Sequence, residues 1–295
     1  MSKIASLSNI VEVFVYMLCM ICIKKANAKL TFVMMRTGAK TIPDSIKAYL
    51  SVLAISNPES NVHLLTEKMS PLLRYDFSNI FPNVRVFPLL DNINDYAGKI
   101  MLARIHLYRE HICSKIVQES PRTFIFTDDD ILIIKDVLKD KAFRHDFDVG
   151  FTWNQNESAY INMGVFIVSG EMGKKQKACE MFKKAEQIFL QKHMDKANWL
   201  GDQYAIRDAI GGKGFFKKRP VDFCEIINGT SICFFDRGRL NGTPGKTIRI
   251  NTCILHYKGK HRKSTQYPDS ELYMKGGYKA IMKKYYHLRH SGKRK

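Results

Sequence analysis

Three consecutive carboxylates interrupt an otherwise apolar run in Phe124-Ile-Phe-Thr-Asp128-Asp129-Asp130-Ile131-Leu132-Ile133. Adjacent like charges repel, and a bound cation is what normally relieves them. In extended backbone alternate side chains share a face, so Asp128 and Asp130 point one way and Asp129 the other. At the carboxyl end of a strand in an α/β sheet, where ligands collect, this Asp-x-Asp pair could hold Mn²⁺ or Mg²⁺ through oxygen and leave positions open for a diphosphate. The plainer alternative is a solvated turn that caps a helix near Lys135 to Leu138.

Further residues with chemical capacity lie downstream. Tyr160-Ile-Asn162-Met-Gly164-Val-Phe-Ile-Val168 sets a polar Asn and a Gly inside an apolar strand. Gly there permits close approach by another group, and a buried Asn needs a partner. Asp202-Gln203 opens a helix, as an N-cap or as functional groups. His256-Tyr-Lys-Gly259-Lys-His-Arg262-Lys263 supplies an imidazole that could ligate metal, a Gly that could admit a phosphate, and cations to neutralise it.

The elements that must position these groups alternate as β-α-β. Leu30 to Met35 reads as a buried strand stopping at Arg36-Thr37-Gly38, and Pro43-Asp44 opens a helix through about Ile55. Val62 to Thr66, Val84 to Phe87 and Thr123 to Phe126 are further strands. Lys99 to Val117 is a helix with apolar residues at Met101, Ile105, Tyr108, Ile112 and Ile116. Phe147 to Thr152 and Tyr160 to Val168 are strands, Lys175 to Lys192 and about Asp202 to Ile210 are helices, and Ile248 to Leu255 is a last strand. No internal repeat and no long Pro/Gly/Ser linker separates two domains. The pattern predicts one α/β domain over 29–268, with a donor-binding half at about 29–135, an acceptor half at about 136–268, and a basic tail at 269–295.

The chain has 295 residues, and 45% hydrophobic content suffices for a large core, so disordered, collagen-like and coiled-coil classes are excluded. Its formal charge of +19 points to anionic partners. About half of that charge falls in 251–295, where a solvated surface is the ordinary explanation. Seven cysteines show no zinc-ribbon spacing. Cys224 with Cys233 would close the shortest loop, and buried free thiols fit equally. Residues 1–28 read as a signal peptide or signal anchor: Ile10 to Ile23 is apolar apart from Glu12, and a small-residue pattern follows at Ala26 and Ala28. A buried N-terminal helix is the alternative. The triplets beginning at Asn156, Asn228 and Asn241 match N-glycosylation acceptors. Together these predict a secretory route, Golgi or ER lumen, membrane-anchored or soluble, with a cytoplasmic chain as the alternative.

The order of these motifs resembles the GT-A fold glycosyltransferases, most closely family 8, which includes glycogenin and the bacterial lipopolysaccharide galactosyltransferases. Asp128-x-Asp130 followed by Ile-Leu-Ile, Asn162-x-Gly164, Asp202-Gln203 and His256-x-x-Gly259 occur in the family's order across roughly residues 30–265. Arg104-Ile-His106 is similar to the family's helix ahead of the aspartates. Two positions depart from the pattern: Arg262 and Lys263 stand where the family has Lys followed by Pro-Trp, and Met163 replaces a small residue. Arg can still grip a diphosphate.

The resemblance implies a mainly parallel sheet flanked by helices, and transfer of a sugar from a nucleotide diphosphate sugar, a UDP-sugar, to an acceptor hydroxyl of a glycan, protein or lipid, with retention. It implies Mn²⁺ or Mg²⁺ held by Asp128, Asp130 and His256, and catalytic roles for Asp202 and Gln203. Donor contacts fall to Arg36, Thr37, Arg104, Asp129, Asn162, Gly164, Gly259, Arg262 and Lys263. Two competing classes are a haloacid-dehalogenase-type phosphatase, whose nucleophile motif is also Asp-x-Asp after a strand, and a polyanion or nucleic-acid binder. The first would place Thr or Val where Leu132 stands. The second would carry a nucleic-acid-binding signature that the sequence lacks, so no specific nucleic acid is expected.

Overall fold

The apolar hexapeptide Leu30–Met35 forms β1 at the middle of a parallel block. It is covered on both faces, which is why its sequence shows a continuous apolar run rather than alternation. The computed structural model describes residues 30–38, 44–153, 159–216, 219–220, 222–243 and 251–257. Within these the strands are β1, β2 (Asn61–Glu67), β3 (Val84–Leu90), β4 (Thr123–Thr127), β5 (Ile131–Ile133), β6 (Val149–Trp153), β7 (Ile161–Val168), β8 (Phe223–Ile227), β9 (Thr230–Asp236) and β10 (Ile254–His256). Four helices of two turns or more accompany them: α1 (Asp44–Ser56), α2 (Ile100–Cys113), α3 (Lys174–Lys192) and α4 (Gly201–Ala209).

Eight strands build one sheet in the order β3-β2-β1-β4-β7-β6-β9-β8. The pairs β3/β2, β2/β1, β1/β4 and β6/β9 are parallel, and the other three are antiparallel. A mixed, mostly parallel sheet with helices on both faces is the single α/β domain that the sequence predicts. The two halves of the chain share this sheet, with β4 and β7 joined at the seam.

The period-two geometry of β4 distributes its side chains between two cores. Phe124 and Phe126 join α2, α3 and α4 on one face, and Phe126 stacks on Phe166 at 4.4 Å between ring centroids. Ile125 joins Tyr49 and Leu53 of α1 on the other. A third, small cluster holds Ala48 and Val52 of α1 against Leu132, Ile134, Leu255 and Tyr257. It docks a two-stranded antiparallel ladder of β5 and β10 beside the main sheet.

Several boundaries differ from expectation. The helix predicted over 99–117 ends at Cys113, because Ser114 is extended, and a single turn resumes at Lys115–Gln118. The turn near Val137–Lys139 is capped by Asp136 rather than by the aspartate triplet, whose following residues form β5 instead. The last strand covers only Ile254–His256; its predicted start, like the leader, the Asn156 acceptor and the basic tail, lies outside the described residues. Among the described residues no helix is long and apolar enough to cross a membrane.

The five cysteines among the described residues form two disulfides and leave one thiol. Cys113 at the end of α2 is joined to Cys179 of α3, and Cys224 to the directly opposed Cys233 across the β8/β9 hairpin. Cys253 is a buried thiol.

A buried histidine pair also pins α2 to the sheet. The imidazoles of His63 on β2 and His111 on α2 are hydrogen-bonded at 2.9 Å among Phe87, Phe124 and Phe126. Burial, with the charges of Arg85 and Arg122, lowers the pKa of His63 to about 4. Burial and the neighbouring His63 lower that of His111 to about 3. Both rings therefore protonate in the unfolded chain near pH 6.5 but stay neutral in the fold, so stability declines as pH falls from about 6.5 toward 4. The thermal midpoint is expected to fall steeply across that window, and a His63→Leu/His111→Leu variant to show a distinctly shallower decline. Equal slopes would remove the pair from the account.

Candidate functional site

β4 ends at Thr127, and the next three residues make the turn into β5. Two backbone bonds shape that turn: Asp128 N–H donates to Gly164 C=O of β7 at 3.0 Å, and Tyr257 N–H donates to Asp130 C=O at 2.8 Å. The β5/β10 ladder sets His256 opposite Ile131, the residue after the triplet. Remote segments thus deliver their groups to one point. His256 Nε2 lies 3.0 Å from Asp130 Oδ1 and 3.5 Å from Asp128 Oδ2. One candidate ligand atom from each of the three residues lies within 4.8 Å of the others. Two carboxylates and an imidazole suit a divalent cation such as Mn²⁺ or Mg²⁺ better than a soft thiolate-preferring ion.

Asp129 is not one of the three candidate ligands: it pairs with Arg36 at the end of β1 and borders the same cavity, because the triplet forms a turn rather than the extended strand that would set alternate side chains on opposite faces. Arg104 of α2 reaches between two carboxylates, donating from Nη1 to Asp128 Oδ1 at 2.8 Å and from Nε to Asp202 Oδ2 at 2.6 Å. Burial alone would lower the pKa of Arg104, yet Asp202 and Asp128 hold it above its ordinary value. Burial raises the pKa of Asp202, and Arg104 opposes that rise. Asp202 is fully buried, and its Oδ1 has no hydrogen-bond partner.

The first turn of α4 is reached through Leu200, which adopts φ 64°, a left-handed conformation that costs a branched side chain energy. Gly201 follows because a Cβ there would meet Lys196 C=O and the Phe189 ring at 2.7 Å. Gln203, in the first turn of α4, lines a cavity of about 290 Å³. Arg104, Asp128, Asp129, Asp130, Asn162 and His256 form its polar wall. Met35, Ile100, Met101, Trp199 and Leu200 form an apolar rim, with Trp199 67% exposed.

The predicted residues thus fall into groups. Asp128, Asp129, Asp130, Arg104, Asn162, Gln203 and His256 share one cavity wall. Asp202 lies behind Arg104 and does not line the cavity; Arg36 approaches through Asp129, while Thr37 and Gly164 are not on the wall. Gly259, Arg262 and Lys263 lie outside the described residues. Gly164 lacks a side chain for a reason internal to the protein. A Cβ there would stand 2.5 Å from Cε1 and 2.7 Å from Nδ1 of His256. Sequence reasoning missed the cavity positions of Tyr108, Trp199 and the apolar rim, whose spacing looks like ordinary core. It also reads Asn241 only as a glycan acceptor, whereas Asn241 is fully buried beside His256.

No protein-family model matches this chain, and no curated protein matches it. Among solved structures it is similar to the glycosyltransferase GlyE of Streptococcus pneumoniae TIGR4, with TM-score 0.55 and 14% identity, over 88% of this chain and 64% of that one. It is also similar to the galactosyltransferase LgtC in complex with donor and acceptor sugar analogs, with TM-score 0.52 and 17% identity, over 83% of this chain and 94% of that one. The chain therefore spans just under two thirds of the pneumococcal protein. At such identities the likeness shows the shared GT-A fold.

Arg104 is the only guanidinium that touches both Asp128 and Asp202 among the described residues, so its removal strands a buried charge. Arg104→Met is expected to lower stability by about 3–5 kcal/mol in denaturant unfolding. Most of that loss should be recovered in Arg104→Met/Asp202→Asn. Additive losses in the double variant would show that the two groups are not energetically coupled.

Proposed function

We propose that this protein is a metal-dependent glycosyltransferase that moves a sugar from a nucleotide diphosphate sugar, a UDP-sugar, to an acceptor hydroxyl on a glycan, protein or lipid. The observation that carries this reading is the meeting of Asp128, Asp130 and His256 on the wall of a cavity at the carboxyl end of β4, in a GT-A fold. These residues would hold Mn²⁺ or Mg²⁺, which when bound supplies Lewis-acid stabilisation of the departing diphosphate.

The chain's own groups then have separable tasks. Arg104, fixed from behind by Asp202, holds the carboxylate of Asp128 on the cavity wall. Gln203, on the wall, offers an amide to the reacting end of the sugar, where positive charge develops as the glycosidic bond breaks. Asp129 holds Arg36 beside the donor, and Asn162 buttresses the imidazole side of the wall. Arg262 and Lys263 are assigned to the diphosphate, with Gly259 admitting it, and Thr37 to the border of the base pocket, on the motif resemblance alone. Retention, with the acceptor attacking on the leaving-group face, rests on the same resemblance.

The phosphatase alternative requires an in-line carboxylate nucleophile. Asp128 Oδ1 instead accepts from Arg104, which holds that carboxylate against α2, and β4 is flanked on one side by the antiparallel β7. The two disulfides support passage through an oxidising secretory compartment, Golgi or ER lumen.

A thermal-shift panel of UDP-sugars with and without Mn²⁺ tests the class. One donor at a hundredfold excess over its Kd should stabilise the fold by about 2.7 kcal/mol, and only when metal is present. Release of inorganic phosphate from phosphomonoesters, without any response to nucleotide sugars, would favour the phosphatase. Gln203→Ala is expected to lower kcat about 100-fold with little change in KM. An increase in KM alone would assign Gln203 to donor binding only.

A further inference from the structure

A chain of hydrogen bonds runs from the backbone of β7 into the imidazole of His256, and its polarity is fixed at one end. Gly164 N–H donates to the side chain of Asn162 at 2.9 Å, so the atom it meets must be the amide oxygen, Oδ1. That oxygen also faces the amide of Asn241 at 2.8 Å, and only the NH₂ end of Asn241 can face an acceptor. The same Nδ2 donates to Thr152 Oγ1 at 3.1 Å, whose hydroxyl is directed at the carbonyls of Asn162 and Val165. The remaining end of Asn241, Oδ1, lies 2.7 Å from His256 Nδ1. An oxygen cannot donate, so Nδ1 carries the proton.

We propose that Asn241 is a positioning residue for His256: by accepting from Nδ1–H it fixes the ring so that Nε2 faces Asp128 and Asp130 as the metal-directed nitrogen. The inference rests on the metal-site reading given above. Each member of the relay is buried, and Asn162 and His256 border the cavity only at its inner wall. Asn241 is 0% exposed, Asn162 2%, Thr152 1% and His256 4%. An alternative amide orientation would set oxygen against oxygen with no solvent to relieve it. Gly164 completes the arrangement, since any larger residue would occupy the ring's place.

The assignment also reinterprets a sequence motif. Asn241-Gly-Thr243 has the form of a glycan acceptor, yet its amide is committed to the relay and its side chain is inaccessible. A glycan on this nitrogen would remove a donor and could not fit the closed core. Asn228, by contrast, is exposed at the tip of the β8/β9 hairpin. The folded protein is therefore expected to carry no glycan at Asn241.

Mn²⁺ alone, titrated into the full chain and followed by electron paramagnetic resonance, tests the proposal. Asn241→Leu, which removes the acceptor, is expected to weaken Mn²⁺ binding about 10–100-fold and to abolish the ¹⁴N modulation of a coordinated imidazole in spin-echo spectra. Asn241→Asp, which keeps an oxygen toward Nδ1–H and as the neutral acid turns its O–H toward Asn162 Oδ1, is expected to retain the ¹⁴N modulation and to bind more tightly than the Leu variant. Wild-type affinity and nitrogen modulation in Asn241→Leu would overturn the proposal, as would equal losses in both variants, which would reduce Asn241 to a packing role. A wild-type protein that does not bind Mn²⁺ would instead sink the metal-site reading. The relay is then decided separately by ¹⁵N–¹H correlation of the histidine rings in metal-free protein: a protonated Nδ1 on His256 supports it, and a bare Nδ1 overturns it.

Discussion

Carboxylates gathered at the end of a buried strand must be matched by positive charge, and the site is organised around that demand. Among the described residues, the charges that meet this demand are Arg36, paired with Asp129, and Arg104, which bridges Asp128 and Asp202, while the ring of His256 directs Nε2 at Asp130. One guanidinium shared between two acids does not balance both, and a divalent cation between Asp128 and Asp130 would add charge where the acids crowd. Low exposure makes an imbalance of this kind costly, so the surrounding fold serves to hold the cationic groups in place. α2 carries Arg104, the Cys113–Cys179 disulfide ties α2 to α3, and the His63/His111 pair ties it to β2.

The same logic explains why β10 is recruited beside β5. The ladder buries Leu132 and Leu255 against α1, and that apolar docking carries His256 to the acidic turn. Packing therefore sets the geometry of the candidate metal site, and a nitrogen contributed by the far end of the domain closes a cluster begun by β4. The relay through Asn162 and Asn241 adds the remaining constraint, which is the direction in which the ring presents its lone pair.

Much of this arrangement is legible in the sequence, for physical reasons. Runs such as Leu30–Met35 and Thr123–Thr127 are apolar on both faces, which marks them as central strands, and an acidic triplet directly after one of them announces a ligand-facing turn. Helix positions follow from the spacing of Met101, Ile105, Tyr108 and Ile112. The meeting of His256 with Asp128 and Asp130 depends on a strand pairing of remote segments, which local pattern does not encode; only the motif resemblance implies it. Asn241 is illegible because its role lies in hydrogen bonds to residues far away in the chain, and its triplet suggests a surface. Asp202 reads as a cavity residue, but adjacent helical residues point about 100° apart, so that Gln203 lines the cleft while Asp202 is buried against Arg104. Pairing of Cys113 with Cys179 requires knowing that α2 and α3 are neighbours.

Anomalous diffraction at the manganese edge, from crystals grown with Mn²⁺ and UDP, addresses the central claim most directly. The account predicts one strong peak bounded by the carboxylates of Asp128 and Asp130 and by Nε2 of His256, with the diphosphate on its open side. Density that places the ion elsewhere, or a UDP bound with those three side chains turned away from any metal, would contradict it.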